Sequence, residues 1–192
     1  METTTLYYYF STIAQVMAAI SALLAVFAHF KINEIKEFLV GDGKATLERM
    51  SLTEKGYNLG TPDFKKYHDR LRDAIGRKSI KGIFEVIKIL ATNAINKGET
   101  AENSPRGFQY LESRFSGRIK QISEIKTLTK TSIILSFIAI FISIISLVLV
   151  EILIKLCFIN WIIIIIVLLA TVLSMIFTIR GIFKGLQDQE DV

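Results

Sequence analysis

Few side chains in this sequence are placed to do covalent chemistry. The two histidines, His29 and His68, stand far apart with no Cys or acidic residue at metal-ligand spacing around either. No GxSxG-type nucleophile motif occurs, and Gly41-Asp42-Gly43-Lys44 has the spacing of neither a phosphate loop nor a calcium loop, so it reads as a helix stop. Cys157 is the lone cysteine and has no partner for an intrachain disulfide. Glu151 and Lys155, four residues apart on one helix face, read as an ion pair at a membrane interface rather than as an ion-coordinating site. The expectation is a protein that is not an enzyme and takes no cofactor or metal.

Two other groups of residues point to binding. Lys65, Lys66, Arg70, Arg72, Arg77, Lys78 and Lys81 form the densest basic stretch, interrupted by Asp69 and Asp73. Beside a membrane such a stretch is drawn to anionic lipid headgroups, with a cytosolic protein or signal ligand as the other partner class. No nucleic-acid motif accompanies it. The second group is a stripe of small or weakly polar residues, Ser11, Gln15, Ala18, Ala22, Ala25 and His29, at alternating spacings of three and four. Similar stripes follow in Ser132, Ser136, Ala139, Ser143 and Ser146, and in Thr171, Ser174, Thr178, Gly181 and Gly185. Such stripes let helix backbones approach in a bilayer, and the 3.5-residue repeat suits left-handed crossing. Packing is their usual role; the sharper reading is that one of them lines a wet path, with the first the best candidate.

The elements that position these groups follow from hydropathy. The chain has 192 residues, 51% hydrophobic and 21% charged, with a mean hydropathy of +0.44. Apolar residues are therefore segregated along the chain, which excludes an ordinary soluble globule, a disordered chain and a disulfide-stapled domain. Three runs, 6–30, 131–150 and 161–179, are each long enough to cross a bilayer, which takes roughly 20 residues. None alternates as a barrel strand would. The first has no basic start and exceeds a signal-peptide core, so it reads as a permanent span. The expected class is an all-α integral membrane protein: span one in 1–30, a helical cytosolic insert over 31–130, span two in 131–156, span three in 161–183 and a short acidic tail over 184–192.

Orientation follows from basic residues near the span ends. Lys31 and Lys36 follow span one, Lys126 and Lys130 precede span two, and Arg180 and Lys184 follow span three, whereas the opposite side has only Lys155. The N-terminus is expected outside and the C-terminus inside a bacterial or archaeal cytoplasmic membrane. Tyr7, Tyr8, Tyr9 and Phe10 are expected to form an outer aromatic belt level with Trp161. In the insert, Thr61-Pro62-Asp63 and Ser104-Pro105 are helix starts and 98–103 a polar loop. With no Gly or Pro from Arg118 to Arg180, one continuous helix is expected from about Arg106 to Leu156, about 75 Å long at 1.5 Å per residue.

This layout is similar, in topology alone, to that of the proton-channel subunits that energise outer-membrane transport; the Gly- and Pro-bearing motifs and mid-membrane acid of that family are absent. The comparison implies assembly around an axis. The functional expectation is a homo-oligomeric channel or membrane-perturbing effector, of toxin or phage-defence style, whose cytosolic helices receive a signal. The alternative is a scaffold that clusters a soluble partner through its basic insert. A secondary transporter is disfavoured, since broken spans and repeated halves are missing.

Overall fold

The computed structural model describes residues 3–56, 64–96, 107–155 and 157–186, and these are helical apart from short turns. In chain order the helices are α1 (Thr3–Gly56), α2 (Phe64–Gly76), α3 (Ile80–Asn96), α4 (Phe108–Val148), α5 (Val150–Lys155) and α6 (Cys157–Leu186). Three of them, α1, α4 and α6, are long and apolar enough to cross a membrane. The cap signals at 61–63 and 104–105, the loop 98–103 and the tail from 187 lie outside the described residues.

The chain divides into two compact units: an apolar unit of Met1–Lys31 with Ser123–Val192, and a middle unit of Ile32–Ile122. In the apolar unit the buried face of α1 carries Leu6, Phe10, Met17, Leu24 and Ala28, at spacings of four and seven. That is the stripe a straight helix presents to one partner surface. Leu6 and Phe10 pack with Val150 and Val167, and Met17 with Ala139 and Ala170. Of the four residues expected in the aromatic belt, two face outward. Phe10 is fully buried and Tyr9 packs against the same cluster, while Tyr7 and Tyr8 are exposed. Four consecutive helical residues fan through 300°, so they cannot share one outward face.

Two helix boundaries differ from expectation. Gly41 and Gly43 do not stop α1, which runs on to Gly56. Each glycine costs its helix about 1 kcal/mol relative to alanine, but the packing of the middle unit outweighs that. A Cβ on Gly43 would lie 3.0 Å from Ile83 Cγ2, so the glycine lets α3 approach α1 closely. The long helix through span two is interrupted at Leu149, where α4 ends and α5 begins. The ladder resumes at once, with Ile152 and Leu153 N–H both donating to Leu149 C=O. Nothing in the sequence marks this break beyond β-branched Val148 and Val150, which hold a helix less well than leucine.

In the middle unit, Ile35, Leu39, Met50, Leu71, Ile83, Ile87 and Phe115 are among the buried side chains from all four helices. The turn between α2 and α3 is a Schellman cap: Lys78 N–H donates to Ile75 C=O and Ser79 N–H to Ala74 C=O. Lys78 sits at φ 50°, where glycine is usual. Its Nζ reaches Glu37 Oε1 on α1 at 2.8 Å. Ser79 then caps α3, its Oγ accepting from Gly82 N–H at 3.2 Å.

Candidate functional site

The stripes of α4 and α6 meet each other. Ser132, Ser136, Ser143, Ser146 and Ser174 are all buried. Four hydroxyls between the two helices form a closed network. Ser132 Oγ donates to Ser174 C=O at 3.1 Å, and Ser174 Oγ donates back to Ser132 C=O at 3.0 Å. Ser136 Oγ lies 2.8 Å from Ser174 Oγ, and Thr178 Oγ1 2.7 Å from Ser132 Oγ. With Ser136 and Thr178 as donors in these last two contacts, each hydroxyl proton is used once. Further along, Thr171 Oγ1 turns back onto its own helix at Val167 C=O. Between Ser136 and Ser143 the small-residue seam is apolar at Ala139, which packs with Met17 and Ala170. Ser143 Oγ, beyond it, is buried without a hydrogen-bond partner. The hydroxyl network is thus a helix clasp, with no continuous polar line along the α4–α6 seam among the described residues.

At the end of the α6 stripe Gly185 is turned to α1, and Gly181 lies beside α4 and α1. A Cβ on Gly185 would meet Phe27 Cζ at 2.9 Å, whereas one on Gly181 would only touch Leu128 and Leu24 at 3.7 and 4.0 Å. Close by in sequence, Lys184 Nζ pairs with Glu124 Oε2 at 3.2 Å. The GxxxG spacing therefore joins two helices of the same chain.

Most of the α1 stripe faces outward. Gln15, Ala18, Ala22, Ala25 and His29 are exposed and Ser11 is half-buried. Gln15 Nε2 donates to Ser11 Oγ at 3.5 Å, one turn back. Elsewhere on this part of α1 the bulky residues Val16, Leu23, Val26 and Phe30 are outward, with Thr12 and Ala19 exposed among them. Around the helix axis the large buried residues, the small stripe and the large exposed residues occupy three separate sectors. His29 stacks edge-on with Phe30 at 6.1 Å.

In the middle unit the basic residues separate by environment. Arg77 Nε pairs with Asp73 Oδ1 at 3.0 Å and Lys78 with Glu37. Lys65, Lys66, Arg70, Arg72 and Lys81 are exposed and make no ion pair among the described residues. Lys78 also holds the Glu37 carboxyl below its usual range, first through their hydrogen bond and then through charge. Glu151 and Lys155, expected to pair on one helix face, are both exposed on α5 and form no ion pair with each other among the described residues. Two free side chains in an exposed position gain little by being held together.

Sequence reasoning missed one group. Asp42, read as part of a helix stop, is a half-buried residue inside α1, with Arg114 Nε of α4 at 3.5 Å from Oδ2. Arg118 lies on the same helix, its guanidinium 4.9 Å above the Phe38 ring. The signal available was Asp42 at the four-residue spacing from Phe38 that shares a helical face, had the helix been carried through the glycines.

The chain matches no protein-family model, no curated protein and no solved structure. Its class rests on the fold: an all-helical protein with three helices long and apolar enough to cross a membrane.

Proposed function

We propose that the protein is a homo-oligomeric membrane channel or membrane-perturbing effector, in which copies meet along the α1 stripe and the middle unit receives a signal or partner. Its orientation in this reading has the N-terminus outside and the middle unit in the cytosol, as the distribution of Lys and Arg favours. The observation that carries the reading is the outward stripe of Ser11, Gln15, Ala18, Ala22, Ala25 and His29. The α4 stripe and much of the α6 stripe are used within the chain, whereas Gln15, Ala18, Ala22 and Ala25 of this one face outward. Beyond its long bond to Ser11, the Gln15 amide has a second N–H and a carbonyl oxygen to satisfy, which is costly facing hydrocarbon, and a second copy presenting the same amide removes that cost. The apolar stretch at Met17, Ala139 and Ala170 favours a path between copies over one through a single copy.

Expression in bacteria with a membrane-potential dye tests the reading. Depolarisation that is lost in Gln15→Leu and Ala22→Leu supports it; an unchanged potential, with and without the native partner, sinks it. The exposed Lys65, Lys66, Arg70, Arg72 and Lys81 favour a second reading, a scaffold that recruits an acidic partner or holds anionic headgroups. That reading expects activity to survive replacement of all three spans by unrelated anchors, whereas the channel reading expects its loss.

A further inference from the structure

Asp42 is the one place in the middle unit where the described structure holds a carboxylate inward by charge without a hydrogen bond. Its side chain is 15% exposed, Oδ2 has no exposed surface and no hydrogen-bond partner, and Arg114 Nε stands 3.5 Å away outside bonding geometry. The local hydrogen bond at this turn, Thr46 Oγ1 to Asp42 C=O at 2.7 Å, serves the backbone and leaves the carboxyl alone. From α4 the facing charges are Arg114 and Arg118. From α2 and α3 the groups beside the neighbouring Gly43 are Ile75 and Ile83, which are apolar. On α1 itself Glu37 and Lys44 act on each other, and Glu37 is bonded to Lys78.

A well-made buried pair would have two short hydrogen bonds from the guanidinium fork. This one has none, so its strength is the balance of two opposed effects. Burial disfavours the ionised carboxyl, while Arg114 and then Arg118 favour it; burial is the larger, and the Asp42 carboxyl lies above its ordinary range. A chain under pressure only to be stable would carry Asn or an apolar residue here.

We propose that Asp42 is a proton-operated switch between α1 and α4: ionised, it holds Arg114 and Arg118 toward α1, and on acidification it takes up a proton, stays inside and releases both guanidinium groups. The sign follows from the burial. The folded chain binds this proton more tightly than the unfolded chain does, so the middle unit gains stability as pH falls from the raised value toward the ordinary one. Above the raised value that gain is absent. The proposal concerns residues 32–122 and stands whether or not the spans conduct.

The full chain in lipid nanodiscs, with carboxyl-labelled Asp and Nε-labelled Arg, tests it by NMR titration. The expected result is an Asp42 midpoint above that of aspartate in an unstructured peptide, with the Arg114 Nε resonance moving at the same midpoint. In Arg114→Gln the Asp42 midpoint rises further, because the larger attraction is gone; in Arg118→Gln it rises less. Asp42→Asn removes the rise in thermal midpoint that the wild type shows on acidification. An Asp42 midpoint at or below the peptide value overturns the switch, as does an Arg114 signal that ignores it. The wild-type titration alone decides the matter if a variant fails to fold, and it is read without any flux, so failure of the channel reading is separate.

Discussion

A hydroxyl in an apolar interior has to find its partners within the protein, and Ser174 finds both an acceptor and a donor. It donates to Ser132 C=O and accepts from Ser136. Hydrogen bonds between helices in a bilayer average about 0.6 kcal/mol, with a ceiling of about 1.7, so Ser174→Ala should cost about 1–2 kcal/mol in a detergent unfolding titration. Ser143→Ala is the control, since its Oγ is buried without a partner; it should be neutral or slightly stabilising. A second residue-scale test falls at Lys78. Its left-handed backbone costs about 1 kcal/mol relative to glycine, and its pair with Glu37 is solvent-screened and returns little. Lys78→Gly should therefore leave stability unchanged or raise it slightly, read as a thermal midpoint. The Glu37 carboxyl lies below its ordinary range, so whatever the pair contributes is present above that range and is lost as pH falls through the lowered value.

At the scale of elements, two pairs of glycines separate permissive positions from required ones. A Cβ on Gly41 meets nothing within 4 Å, whereas one on Gly43 runs into Ile83. Gly41→Ala should stabilise by about 0.5–1 kcal/mol, the ordinary helix-propensity gain. Gly43→Leu should cost about 1–3 kcal/mol by forcing α3 off α1, and chemical denaturation of the full chain distinguishes the two. In α6, Gly181→Ala should be tolerated, and Gly185→Leu should push Phe27 aside and part α6 from α1. A cysteine pair placed across α1 and α6 near those positions, cross-linked in membranes, reads that separation directly. Both contrasts rest on what a side chain would touch, which spacing in the sequence does not reveal.

For the molecule as a whole, the question is what covers α1. Its bulky exposed residues suit lipid tails, but Gln15 and the three alanines beside it do not gain from them. Single cysteines at Ala18 and Ala22 should cross-link between copies in membranes, while cysteines at Leu23 and Phe30, in the neighbouring bulky sector, should not. Equal cross-linking in both sectors, or none in either, would remove the basis for assembly along this face. Alkylation of the same cysteines from either side of the membrane, compared with residues of α2, gives the orientation.

The sequence by itself determined the elements. Unbroken apolar runs make helices wherever the backbone must satisfy itself, so the three long helices were legible, whereas the Ser79 cap of α3 emerged only in the structure. The stripes were legible too, as spacing. What they touch was decided only in three dimensions, because a 3.5-residue repeat describes a face and says nothing of its partner: the serines of α4 clasp those of α6, Gly185 seats Phe27 of α1, and the α1 stripe is left outward. The same limit explains Gly41 and Gly43. Local propensity reads two glycines as an end, but the close approach of Ile83 gives Gly43 a packing role that propensity cannot contain. Asp42 went unread for that reason, since a charge becomes costly only once other helices have taken away its water.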